Sequence, residues 1–257
     1  MSSHDSINKI LLVALSLCLV CSIIVSTAAV VLKPAQEANK SLDKKRNILE
    51  AAGMLDESRG VEEQFSQVVT RVVDLRTGKY TDDIDPVGYD QRKAAKNSGQ
   101  SDALTPEQDI AKIARREHYA VVYLVQGEGG ELEKIILPIH GYGLWSTLYG
   151  FMALEADGNT VAGLGFYEHG ETPGLGGEVD NPRWKALWPG KEVYKDDDVT
   201  IGLIKGSVDP ANANANWQID GLSGATLTAR GVTNLVQFWL GENGFEPFLN
   251  NLKTGDV

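Results

Sequence analysis

The 257-residue sequence predicts an α+β protein carrying one N-terminal membrane-length helix. Three observations support this. Strand patterns come as adjacent pairs in the middle of the chain. Helical patterns flank them on both sides. Ile10 to Leu32 runs 23 residues without a charge. A doubly wound parallel sheet would need regular strand–helix alternation, which is absent, so the sheet is expected to be mainly antiparallel and flanked by helices.

At about 1.5 Å per residue, the run ILLVALSLCLVCSIIVSTAAVVL spans a bilayer core of roughly 30 Å. A signal peptide has a shorter apolar region, about 7–15 residues. The run therefore reads as a retained transmembrane anchor (10–32), with a leader at 1–9. Residues 33–257 read as a soluble domain with a helical stalk. Lys9 precedes the span, whereas Lys33, Lys40, Lys44, Lys45 and Arg46 follow it. Counted simply, the positive-inside rule keeps the large domain in the cytoplasm, although long domains translocate largely regardless of charge. The only cysteines, Cys18 and Cys21, lie within the span. They read as small residues at a helix contact, since two cysteines cannot close a tetrahedral metal site.

Beyond the anchor, Lys40–Leu55 reads as a helix and Val61–Leu75 as a second, with Phe65, Val68, Val69, Val72 and Val73 on one side. Polar residues between Gly78 and Thr105 predict an irregular surface excursion. Pro106–Glu117 is expected as a short helix capped by Thr105. Tyr119–Gln126 and Leu132–Ile139 form a hairpin around Gly127, Gly129 and Gly130. Leu148–Ala156 and Thr160–Tyr167 form another around Asp157-Gly158-Asn159. Asn181–Leu187 is a short helix candidate, and Thr200–Ile204 and Trp217–Leu222 are short strand candidates. Thr226 to about Trp239 reads as a helix, with Leu227, Val232, Leu235, Val236, Trp239 and Leu240 at helical spacing.

The formal net charge of -11 argues against nucleic-acid binding, which requires a basic face. Three Gly-rich motifs punctuate the strand region: His140-Gly141-Tyr142-Gly143-Leu144-Trp145, Glu168 to Gly177 (EHGETPGLGG), and Asp220 to Thr228 (DGLSGATLT). None matches the dinucleotide GxGxxG or the phosphate-loop GxxxxGK[ST] pattern. His118, His140 and His169 lie in three separate segments without an HExxH pattern, so no metal site is expected. Trp145, Tyr142, Leu144 and Leu175 sit beside glycines, where an apolar side chain can lie against a planar ring. Folding back onto the core is the competing reading.

The third motif leads into the last predicted helix. A helix start exposes unpaired N–H groups and the positive end of the dipole, which suits a phosphate. The plainer reading is a Ser/Thr helix cap. Gly221-Leu222-Ser223-Gly224-Ala225 also approximates a nucleophile elbow, which would make Ser223 a hydrolase nucleophile. That elbow wants an acid and then a histidine downstream, and no histidine follows Ser223.

Asp220-Gly221-Leu222-Ser223-Gly224-Ala225-Thr226 resembles a flavinylation motif: Asp, two spacers, Ser or Thr, Gly, Ala, Thr. HGYGLW and ETPGLG, upstream in the same order, resemble the rest of an FMN-binding domain, and the anchor fits as well. Together these identify the chain as similar to the C-subunit family of sodium-translocating NADH:quinone oxidoreductases, whose near relative is the G subunit of Rnf-type complexes. The resemblance implies FMN carried covalently, through a phosphoester, on Thr226. Asp220, Ser223, Gly224 and Ala225 match the motif around it. Leu144, Trp145, Glu171, Thr172, Leu175 and Gly176 are its flavin-pocket candidates. A Thr hydroxyl needs a positioned base to act as a nucleophile, and none is evident nearby in sequence. This agrees with the family's use of a separate flavin transferase, with FAD as donor and Mg²⁺. The family also implies an electron-relay role among other membrane subunits at a bacterial inner membrane, with the domain in the periplasm.

Overall fold

The computed structural model describes residues 7–127 and 129–257; the first six residues of the expected leader, His4 among them, lie outside the described residues. The chain divides into two units, one ending at Lys44 and the other covering Lys45–Val257. Helix α1 (Ile7–Ala51) makes up the first unit from Ile7 onward. Its residues there are solvent-exposed, and the stretch is long and apolar enough to cross a membrane.

In the second unit, α1 contributes Ile48, Leu49 and Ala51 to the core. Gly53, at φ +65°, then ends the helix as the Met54 N–H turns back to the Leu49 carbonyl at 2.8 Å. Helix α2 (Val61–Phe65) leads into β1 (Val68–Asp74), which pairs with β2 (Lys79–Tyr80). Helix α3 (Gln91–Lys96), β3 (Ser101–Ala103) and β4 (Arg115–Glu117) follow. Strands β5 (Tyr119–Gln126), β6 (Leu132–Tyr142), β7 (Thr147–Glu155) and β8 (Val161–Glu168) complete a six-stranded antiparallel sheet in the order β2-β1-β5-β6-β7-β8. Beyond it come α4 (Pro182–Lys185) and the short strands β9 (Tyr194–Lys195), β10 (Asp198–Val199), β11 (Gly202–Leu203) and β12 (Gln218–Ile219). The chain ends in α5 (Thr226–Leu240) and α6 (Glu246–Thr254).

Both faces of the sheet are covered. Alternate residues such as Val122, Leu124, Ile135 and Leu137 face a core shared with Val232, Leu235, Trp239 and Phe248 of α5 and α6. Their neighbours Val121, Tyr123, Val125 and Ile136 face Ile48 and Leu49. This two-sided burial explains one correction. The expected helix over Val61–Leu75 is α2 followed by strand β1. Val72 and Val73 are both buried because they serve opposite cores, so the apolar pattern shows no strand alternation. The run of β-branched valines favours the strand. A second correction concerns Pro106–Glu117. One turn forms after Thr105, but the Asp109 carboxylate then accepts the N–H groups of Ile113 (2.7 Å) and Ala114 (2.9 Å). That side-chain bonding competes with helix propagation. Lys112 and Ala114 take positive φ, and the segment ends as β4. The Gly78–Thr105 excursion, expected to be irregular, also contains β2, α3 and β3.

The two halves of β6 have different partners. Its ladder with β5 ends at the Tyr123–Ile136 pair, whereas its ladder with β7 continues to Tyr142–Thr147. Pro138 lies just beyond the first ladder and has no N–H to extend it. The backbone groups past Pro138 bond elsewhere: the His140 carbonyl accepts Trp239 Nε1 at 2.6 Å, and the Tyr142 N–H donates to the Ala111 carbonyl at 2.8 Å. Helix α5 therefore docks on the half of β6 that β5 leaves open. Glycines bring the two close. A Cβ at Gly231 would lie 2.6 Å from the Tyr142 carbonyl oxygen and 2.8 Å from Gly143 Cα. In a helix interior Gly→Ala is ordinarily favourable by up to about 1 kcal/mol. Here overpacking, at about 1–3 kcal/mol, opposes it. Gly231→Ala is expected to lower the thermal midpoint; an unchanged or higher midpoint would mean that α5 has slack at this crossing.

Candidate functional site

The site forms where α5 begins. The Asp220–Thr226 turn is strapped down from several directions. Asp220 Oδ1 accepts the Val208 N–H at 2.8 Å, the Asp220 carbonyl accepts Trp184 Nε1 at 3.0 Å, and the Gly221 N–H donates to Gly206 at 2.9 Å. Gly224 takes φ +72°, a conformation that favours glycine. The residue that caps α5 is Ala225, with no side-chain cap hydrogen bond. The Ser/Thr-cap reading is thus corrected: Ser223 lies too far upstream, and Thr226 is already the first helical residue. The Thr226 side chain is exposed at the start of a 15-residue helix. The first-turn N–H groups and the dipole give that position partial positive charge.

A second set of contacts joins the other two motifs to this turn. The Glu171 carboxylate is buried. Its Oε1 accepts three successive N–H groups, from Leu144 (3.1 Å), Trp145 (2.9 Å) and Ser146 (3.2 Å), in the loop between β6 and β7. Its Oε2 accepts the Thr228 hydroxyl at 2.6 Å. Burial pushes the Glu171 carboxyl up, but the Thr228 hydroxyl and the three N–H donors together outweigh it and hold the pKa below its ordinary value. The ETPGLG loop is held at its base as well: the Glu171 N–H donates to His169 Nδ1 at 3.2 Å, and His169 Nε2 pairs with Asp180 at 2.8 Å.

The candidates named from sequence divide by what they do here. Glu171 and Gly176 are buried, and a Cβ at Gly176 would lie 2.6 Å from Thr228 Oγ1. The Thr172 carbonyl closes the loop by accepting Leu175 and Gly177 N–H groups. Leu144 is half-buried, whereas Ser223 and Gly224 are exposed. Leu175 lies against the turn, its Cδ2 2.9 Å from where a Cβ on Gly224 would stand. Four large apolar or aromatic side chains on the three motifs are left in solvent: Trp145 (66% exposed), Leu227 (54%), Leu175 (44%) and Tyr142 (39%). An exposed hydroxyl at a helix N-terminus, with apolar side chains on the adjoining loops, fits a phosphate joined to a planar ring. Sequence reasoning missed Thr228, because its partner Glu171 is 57 residues away along the chain.

The three described histidines are engaged elsewhere: His118 with Asp102, His169 with Asp180, and His140 stacked on Tyr149. None bonds to Ser223, so the hydrolase arrangement is not assembled. Among the described residues, no three His, Cys, Asp or Glu side chains converge as a metal site.

The FMN-binding domain model matches residues 143–241, from the β6–β7 loop through α5. The class is thereby a flavin-binding domain built on an antiparallel sheet. Over 262 residues the chain is 56% identical to the C subunit of the Na⁺-translocating NADH-quinone reductase of Pseudomonas aeruginosa, covering 100% of both chains. It is 51% identical to the C subunit of the Vibrio anguillarum reductase, covering 100% of this chain and 99% of that one. The crystal structure of Shewanella oneidensis NqrC superposes with a TM-score of 0.77 at 38% identity, over 84% of this chain and 99% of that one. The chain belongs to the family of C subunits of Na⁺-translocating NADH-quinone reductases.

Proposed function

We propose that the chain relays electrons inside a Na⁺-exporting NADH-quinone reductase through FMN held as a phosphoester on Thr226. The observation that carries this reading is the exposed Thr226 hydroxyl at the uncapped start of α5, within the stretch that matches the FMN-binding domain. Attachment forms a bond from Thr226 Oγ1 to the FMN phosphorus of FAD and breaks that phosphorus's bond to the bridging oxygen. AMP leaves with the electron pair, and the hydroxyl proton passes to a base on a flavin transferase. The first-turn N–H groups of α5 hold the phosphate. Trp145, Leu175 and Leu227 supply apolar surface for the ring, and Asp220, Ser223, Gly224 and Ala225 shape the turn. Once bound, the flavin supplies the redox chemistry, which the protein orients and tunes.

The other membrane subunits of the complex supply and accept the electrons. Residues 10–32 anchor the chain in a bacterial inner membrane as a single pass, with residues 33–257 in the periplasm. Two measurements test these statements. After co-expression with a flavin transferase, the denatured band is expected to fluoresce under ultraviolet light; a dark band would refute covalent attachment. Protease added to intact spheroplasts is expected to digest the soluble domain; protection would overturn the periplasmic assignment.

A further inference from the structure

Both oxygens of the Glu171 carboxylate are committed inside the protein, one to the loop between β6 and β7 and the other to α5. Only 5% of the residue is exposed, so Glu171 is a poor flavin contact. Its partner Thr228 is fully buried and lies two residues beyond Thr226 in the same first turn of α5. Glycines close the joint from both sides: a Cβ at Gly176 would lie 2.8 Å from Oε2, and one at Gly143 would lie 2.6 Å from Oε1. The carboxylate therefore ties three sequence-distant segments together at the place where the helix starts.

We propose that Glu171 and Thr228 are positioning residues for flavin attachment, fixing the first turn of α5 so that the Thr226 hydroxyl is presented in one orientation before any flavin arrives. This rests on Thr226 being the acceptor. The transferase then meets a folded, pre-aligned acceptor. Pre-alignment lowers the barrier to bond formation by removing orientational freedom from the hydroxyl. It acts on the rate of the step more than on the affinity for the flavin donor, which the transferase binds.

The test uses the full-length apo chain in detergent with flavin transferase, Mg²⁺ and FAD, and follows covalent fluorescence over time. Thr228→Val removes the hydroxyl at nearly constant volume, and Thr228→Ser restores it. Glu171→Gln keeps the shape but loses the charge. In Thr228→Val and Glu171→Gln the maximal rate of incorporation is expected to fall by about ten-fold or more, with the KM for FAD within about two-fold of wild type. Thr228→Ser is expected to recover most of the rate. Near-ultraviolet circular dichroism gives the folded fraction of each variant. Labelling of Thr228→Val at the wild-type rate overturns the clasp, as does a rate that falls only in proportion to folded fraction. In either case a labelled wild type leaves attachment at Thr226 standing. A wild-type chain that takes up no flavin overturns both.

Discussion

Thr226→Val is expected to abolish covalent flavin on this chain while leaving its fold intact. The side chain is exposed and caps nothing, so replacing the hydroxyl by a methyl removes no buried contact. Surface changes of this kind ordinarily alter stability by no more than about 0.5 kcal/mol. The denatured band would be dark under ultraviolet light, and the thermal midpoint of the apo chain would match wild type. A complex assembled with this variant would lose quinone reduction to the level seen when this chain carries no flavin. Thr226→Ser keeps a hydroxyl at the same helical position and is expected to retain flavin. Residual fluorescence in the valine variant would move the acceptor to another hydroxyl, with Ser223 the first to examine.

Glu117→Gln is expected to stabilise the chain above pH 7 and to make its stability rise with pH in mild acid. Glu117 is fully buried on β4; Gln91 Nε2 donates to its Oε1, and its Oε2 has no partner among the described residues. Burial pushes its carboxyl up to about 7 from the ordinary 4.5. Between these values the folded chain holds a proton that the unfolded chain lacks, so stability falls as pH rises, by about 3 kcal/mol in all. His140 works in the opposite direction. Enclosed between Tyr149 and Trp239, it is pushed down to about 4 from 6.5, first by burial and then by the Arg92 charge. Between about 4 and 6.5 the unfolded chain takes up a proton that the folded chain refuses, so stability rises with pH. In wild type the two slopes oppose each other from about 4.5 to 6.5. Removing Glu117 exposes the His140 slope and lifts the plateau above pH 7 by about 3 kcal/mol at most. Denaturant midpoints from pH 4.5 to 8 check this. A gain no larger at pH 8 than at pH 4.5 would mean that burial does not raise the Glu117 carboxyl above its ordinary range.

The legible parts of the fold are those whose physics is local. Tyr119–Gln126 and the following run are apolar and separated by glycines; β5 forms over the expected residues, and β6 starts where expected but runs on past Ile139 to Tyr142. The apolar spacing after Thr226 likewise gives α5 to within a residue at its end. What the sequence conceals depends on distant partners. The β1 valines look helical because one sheet serves two cores, and the turn after Thr105 stops because one aspartate bonds back to it. The site divides in the same way. Its three motifs stand out as Gly-rich stretches, and the proposed acceptor Thr226 lies in the third of them. That Glu171 lies behind the loops, bound to Thr228, follows only from folding.

The change of partners along β6 at Pro138 gives amide exchange an unusual reading. Beyond Pro138, the Tyr142 N–H is protected by the Ala111 segment, and the His140 carbonyl is held by the Trp239 side chain of α5. Protection of the Tyr142 amide therefore reports on the ordering of the segments around α5, whereas the amides paired with β5 report on the global stability of the sheet. Deuterium uptake along a single strand can thus separate loosening near α5 from unfolding of the domain.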